Sequence, residues 1–192
     1  MDKQELSLSY GDFDMLIQKI FSAESIEDVL DLLENNGIVS LNQGFFTKVY
    51  QIEDKILKVN CGDPDYGFIL YHDYFIEHPS IHSPECYQYK IINDHYLMLT
   101  DILEPFPYHE DNEHLGVTFL RELVEEHLYD YNQDFEEIVK TYQNIDVNTK
   151  EQVFGIFNFL RYFDDVDFSI DICSVNLMLK ENIWILNDPF VL

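Results

Sequence analysis

Two stretches far apart along the chain carry side chains suited to phosphate chemistry. The first is LNQGFFTKVY at Leu41–Tyr50, followed by Ile56, Leu57, Lys58 and Val59. A glycine-containing hairpin can lay backbone N–H groups over phosphate oxygens. A lysine on the next strand then reaches the α- and β-phosphates. The second is DICSVN at Asp171–Asn176, with Asp188 twelve residues after Asn176 and Pro189 directly behind it. An Asp five residues before an Asn, with a further Asp beyond a short hairpin, supplies a base that orients a hydroxyl and two oxygen ligands for Mg2+. Each piece alone is ordinary turn chemistry, because Gly, Asp and Asn are common turn residues. Their order and spacing, on elements of the right kind, point to nucleotide chemistry. Other chemistries find less support. The seven histidines show no metal-site spacing, and Pro79 between His78 and His82 rules against a helical ligand pair. Cys173 lies within the second stretch with no base beside it in sequence to activate its thiol.

The elements that must position these residues follow from periodicity and turn chemistry. Phe13, Leu16, Ile17, Ile20 and Phe21 fall on one helical face. Ser25 to Asp28 reads as a capping box opening a second helix, lined by Ile26, Val29, Leu30 and Leu33, with Gly37 as its C-terminal glycine. Three strands are predicted next, IVSL, TKVYQI and KILKVN, with turns at 42–44 and 53–54. Asp63 as N-cap and Pro64 at the first helical position predict a helix to about Glu77, stopped by His78 and Pro79. Strands CYQYKII and YLMLT follow, joined by Asn93 and Asp94. Helix is predicted from about Glu113 to Phe163 with a break near 144–149, the Phe154–Phe163 aromatic stripe forming core. The chain closes on strands LMLK and IWIL around Glu181 and Asn182. The predicted class is α+β: a helical appendage at 1–37, a sheet lobe at 38–103 and a helical lobe at 104–192.

In this order the motifs resemble those of the protein-kinase-like fold, and within it the early serine/threonine protein kinases of T-seven-like bacteriophages. The resemblance runs from about Val39 to Leu192 and is strongest at its two ends. It implies a two-lobed fold with a five-stranded N-lobe sheet and a reduced helical C-lobe, and it implies ATP and Mg2+. It places the glycine-loop positions on Asn42, Gly44 and Thr47, and the closing aliphatic and aromatic residues on Val49 and Tyr50. The nucleotide lysine falls on Lys58. Tyr96 to Leu103 is similar to the fifth strand and hinge, which puts Asp101 and Leu103 beside the nucleotide. The catalytic Asp falls on Asp171, and the metal-binding pair on Asn176 and Asp188. The phage-type Asp-Pro is present as Asp188 and Pro189. Several departures accompany the resemblance. Only the middle glycine-loop position is glycine, and threonine at Thr47 is expected to tolerate positive φ poorly. Ile69 and Leu70 stand where a helix glutamate would pair with the lysine, with Asp73 and Glu77 the nearest acids. Val175 replaces a glycine in the catalytic loop. Four residues follow Asp188, so no activation segment is expected.

Charge narrows the partners. The chain has 192 residues with 37 acidic and 11 basic side chains, a formal net charge of −26. Residues 101–192 carry 20 of the acids and 5 of the bases. Such a surface repels nucleic-acid backbones and anionic membranes, so neither is an expected partner. At 46% hydrophobic and 15% aromatic the chain has the material for a packed core rather than a disordered one. No apolar run reaches membrane-spanning length, and the first residues lack the basic and apolar regions of a signal peptide. Three scattered cysteines suit a reducing compartment, and with the resemblance the expected location is the host cytoplasm. Two functions stand open. One is a kinase modifying host proteins. The other is an inert kinase-like scaffold whose acidic surface imitates a phosphate backbone and blocks a host protein with a basic nucleic-acid-binding surface. A small-molecule phosphotransferase of the same fold ranks behind both, because the long helical lobe that builds such a pocket is short here.

Overall fold

The alternation of apolar and polar residues in TKVYQI and KILKVN builds a sheet with one oily face. In the structure, a computed structural model, residues 10–43, 46–105, 147–163, 166, 169–170, 176–181, 183–188 and 190–191 are described. Two helices come first, α1 (Tyr10–Ser22) and α2 (Ile26–Asn35). The Ser25 side chain accepts from the Asp28 amide at 3.1 Å, the expected N-cap of α2. At the other end Gly37 donates to Glu34 O and Ile38 to Leu33 O, with Gly37 at φ 71°. This is a Schellman closure, and glycine suits it because L side chains are strained at that φ.

Strands β1 (Ser40–Gln43), β2 (Thr47–Ile52), β3 (Lys55–Asn60), β4 (Cys86–Ile92) and β5 (His95–Asp101) form an antiparallel sheet in the order β1-β2-β3-β5-β4. β2, β3 and β4 match their predicted bounds. β1 starts two residues later than predicted, because Gly37 and Ile38 are spent closing α2. The β4–β5 turn is at Asn93 and Asp94, both at positive φ, as a two-residue hairpin of right-handed twist requires. Tyr50, Ile52, Leu57, Val59, Leu97 and Leu99 bury their side chains with Leu16, Ile20, Val29 and Leu33 of the two helices. The helices expected as an appendage thus share one core with the sheet.

The chain divides into two compact units. One comprises Met1–Asp65 with Glu85–Ile102, the other Tyr66–Pro84 with Leu103–Leu192. In the second, α3 (Tyr66–Glu77) starts two residues after Pro64, later than predicted. Helix α4 (Val147–Tyr162) crosses the predicted break at 147–149, and 106–146 lies outside the described residues. Rings of the two helices interlock: Tyr71 and Phe159 have centroids 5.7 Å apart, Tyr74 and Phe159 5.6 Å. Short strands complete the unit. β6 (Glu104–Pro105) pairs with β8 (Leu177–Lys180), and β8 pairs with β9 (Ile183–Leu186). β7 (Ser169–Ile170) pairs with β10 (Phe190–Val191), and α3 lies against β10. The molecule is therefore α+β with a five-stranded antiparallel sheet. Among the described residues no helix is long and apolar enough to cross a membrane.

Candidate functional site

On β3, Leu57 and Val59 face the core shared with the helices, which turns Lys58 to the opposite face. There it lies across from Val49 on β2 and Met98 on β5, and only 7% of it is exposed. A buried ammonium needs compensation by charge or hydrogen bonds, so this is no solvent-tipped strand lysine. Its charge reaches Cys86 on β4. Burial is the larger effect on that thiol and raises its pKa to about 11, against the lowering pull of Lys58.

Asn42 and Thr47 both lie within strands, so neither stands in the turn where positive φ was expected to trouble threonine. Gly44 lies outside the described residues. The Thr47 hydroxyl shares a 2.7 Å hydrogen bond with the Tyr96 hydroxyl. The exit of the β1–β2 turn is pinned at Phe46. Its carbonyl accepts from the Cys61 and Gly62 amides at 2.9 and 3.0 Å and from Asn60 Nδ2 at 3.2 Å. Asn60 Nδ2 also donates to Asp63 O at 3.1 Å, which uses both of its hydrogens. Asn60 Oδ1 is therefore the acceptor of the 2.7 Å contact with His95, and His95 Nδ1 carries the proton. Sequence reasoning missed Asn60 and His95, since each reads as strand-end polarity.

Asp101 ends β5 with its carboxylate already engaged: the Tyr87 hydroxyl donates to Oδ1 at 2.5 Å. That bond is the main cause that raises the Tyr87 pKa. The Lys55 ammonium sits 4.1 Å above the Tyr87 ring. Asp101 is buried, and its backbone stands opposite Lys55 in the β3–β5 ladder. Leu103 belongs to the second unit, half-buried just before β6.

In that second unit, Asn176 and Asp188 flank the open end of the β8–β9 hairpin. Leu177 pairs with Leu186, and one step outward the Asn187 amide donates to Asn176 O at 2.9 Å. Asp171 lies outside the described residues. Its predecessor Ile170 pairs with Phe190, two residues after Asp188. Asn176 and Asp188 are hard oxygen donors. Two such ligands suit Mg2+, which keeps several waters and binds through one or two carboxylates plus phosphate oxygens. Among the described residues, this hairpin end included, no group of three His, Cys, Asp or Glu is placed to hold a metal.

Helix α3 presents no carboxylate inward. Asp73 and Glu77 are exposed, and Ile69 and Leu70 are half-buried apolar residues. Its inward polar groups are Tyr71 and His72. The Tyr71 hydroxyl donates to Leu186 O at 3.2 Å, and His72 Nε2 lies 3.3 Å from Asn187 O. Burial first, and then the Asp188 charge, push the Tyr71 hydroxyl well above its ordinary pKa, so it stays a donor. Sequence reasoning missed both residues. Their only signal was the buried aromatic stripe they share with Phe68 and Phe75. No protein-family model matches the chain, and no curated protein sequence matches it.

Proposed function

We propose that this chain is an ATP-dependent serine/threonine protein kinase of the phage type, with a two-lobed protein-kinase-like fold, acting on host proteins. The observation that carries this reading is that Asn176 and Asp188 flank the open end of the β8–β9 hairpin. The order β1-β2-β3-β5-β4, with α3 inserted after β3, supports it, and so does the buried Lys58 on β3. In this reading Lys58 binds the α- and β-phosphates. Asn42, Gly44 and Thr47 belong to the hairpin over them, and the backbone from Asp101 to Leu103 borders the base. Asn176 and Asp188 hold Mg2+, which when bound neutralises charge on the phosphates. Asp171 accepts the proton of the substrate hydroxyl as its oxygen bonds to the γ-phosphorus. The bond to the β–γ bridging oxygen breaks, and ADP leaves.

Catalysis of this kind rests on positioning and charge stabilisation. Asp188→Ala is therefore expected to abolish phosphoryl transfer to proteins of a host extract while the thermal melting curve stays that of a folded protein. Unchanged transfer by Asp188→Ala would remove this residue from the mechanism. Calorimetric titration of the full chain with ATP and Mg2+ provides the direct test of the site.

A second reading is favoured by the −26 net charge. In it the chain is an inert kinase-like scaffold that binds and blocks a host protein through that protein's basic nucleic-acid-binding surface. The missing inward carboxylate on α3 suits it, as does Val175 where the resemblance expects a glycine.

A further inference from the structure

The two residues that lead into Asp188 have an unusually complete set of backbone partners. Leu186 N donates to His82 O at 2.9 Å, and Leu186 O accepts from the Tyr71 hydroxyl at 3.2 Å. Asn187 N donates to Asn176 O at 2.9 Å, and Asn187 O contacts His72 Nε2 at 3.3 Å. A carbonyl can only accept, so His72 Nε2 carries the hydrogen. All four backbone polar groups are thus engaged, from α3, from the α3–β4 connection and from the residue before β8. Buried backbone groups of this kind need partners from protein or water. Here two side chains from a single helix supply two of them, and both are buried, Tyr71 at 1% and His72 at 2% exposure.

Neighbouring residues on a helix point about 100° apart, so meeting two successive carbonyls takes rings held firmly in place. Packing holds them. His72 lies against Phe68 with centroids 3.9 Å apart, and Tyr71 against Phe75 at 4.7 Å. Phenylalanine and leucine would fill the same aromatic stripe without the desolvation cost of a hydroxyl and an imidazole. The polar atoms are explained by what they touch, and both touch the main chain directly before Asp188.

We infer that Tyr71 and His72 are positioning residues for Asp188, through which α3 acts on the metal-binding carboxylate by way of its main chain rather than on Lys58 by way of a glutamate. This rests on the reading of Asp188 as a Mg2+ ligand. It gives α3 a role that does not need the missing inward acid.

The test is a titration of the full-length protein with Mn2+, followed by the paramagnetic relaxation of water. Tyr71→Phe removes only the hydroxyl, and His72→Leu only the imidazole donor. Each is expected to weaken Mn2+ binding about tenfold, as loss of an outer-shell partner does. His72→Gln, which returns an N–H donor at similar reach, is expected to restore most of it, and a purely structural role would show no such rescue. Amide exchange at Asn187 and Asp188 in the metal-free protein should quicken in Tyr71→Phe and His72→Leu alike. Asp73→Asn and Glu77→Gln, on the exposed side of α3, should leave both readouts unchanged. If the unsubstituted protein binds Mn2+, Asp188→Ala does not, and Tyr71→Phe and His72→Leu both bind as the unsubstituted protein does, the inference is overturned and the kinase reading survives. If the unsubstituted protein and Asp188→Ala bind Mn2+ equally or not at all, the metal reading falls and takes the inference with it.

Discussion

At the scale of single residues, Asn60 and Cys86 make the sharpest claims. Asn60 is fully buried, donates to two carbonyls and accepts from His95. Asn60→Ala would remove its three hydrogen bonds, to Phe46 O, Asp63 O and His95, each worth about 0.5–1.5 kcal/mol net. A loss of about 2–4 kcal/mol in urea-unfolding stability is expected. Cys86 tests the electrostatics of the face that carries Lys58. Its folded pKa of about 11 lies above its ordinary 9.0, chiefly through burial. Between those values the unfolded chain has released the proton and the folded one has kept it. The thiol's contribution to stability is therefore intact below about pH 9 and is lost as pH rises towards 11. Cys86→Ser should flatten that part of the stability–pH profile. Cys86 should also react with iodoacetamide at pH 7.5 more slowly than an unfolded thiol, because only the thiolate attacks. Neither behaviour was legible in the sequence. Asn60 reads there as the last residue of KILKVN, and Cys86 as the first of CYQYKII. What distinguishes them is which strand lies beside them.

At the scale of elements, alternation and turn chemistry carried far. β2, β3, β4, β8 and β9 fall on the runs TKVYQI, KILKVN, CYQYKII, LMLK and IWIL. All but LMLK have β-branched or aromatic residues, turn formers border them, and each pairs locally with a neighbour. The short strands β6, β7 and β10 were not legible, because two residues have no period and their pairing partners are distant in the chain. The start of α3 was misjudged because Asp63 and Pro64 form a plausible cap. In the structure the Asp63 carbonyl is taken by Asn60 and the helix waits until Tyr66. Helix α4 offers a direct test of the packing between helices. Gly155 lies within it, and a Cβ built there would meet the Phe75 ring at 3.6 Å, ordinary van der Waals contact. Glycine inside a helix costs roughly 0.5–1 kcal/mol relative to alanine. Gly155→Ala is therefore expected to stabilise the protein by about that amount, read as a higher melting temperature. A lower one would mean that α3 and α4 pack more tightly than 3.6 Å implies.

At the scale of the whole molecule, composition favoured a packed core over disorder and spoke against nucleic acid as an expected partner, but could not choose between catalysis and binding. The candidate site was read from residue types in a set order, Lys58 and then Asp171, Asn176 and Asp188; the structure puts Lys58 on a central strand and Asn176 and Asp188 at one end of a hairpin, and Asp171 lies outside the described residues. The support for that hairpin from α3 was not legible, because backbone carbonyls as partners leave no trace in side-chain types. The two functional readings part at the net charge of −26. If the chain works by binding a basic host surface, long-range attraction steers the encounter and salt screens it over a Debye length of about 8 Å at physiological ionic strength. Affinity for the host target would then fall steeply with salt, and DNA or RNA would compete for it. Asp171→Ala and Asp188→Ala would still block the target, since no bond is made or broken. Charge reversal at Glu125 and Glu126, or at Glu136 and Glu137, all outside the described residues, would weaken the block. A kinase gives the opposite pattern. It turns over and needs only substoichiometric amounts relative to its target, so Asp171→Ala and Asp188→Ala lose the biological effect while the reversed pairs keep it. We expect this second pattern. The buried Lys58 and the fully bonded approach to Asp188 are costly features that a binding surface has no use for, whereas exposed acids at this density serve solubility in a protein of either kind. Measuring the effect of the four variants on one host target, at low and high salt, decides between the two.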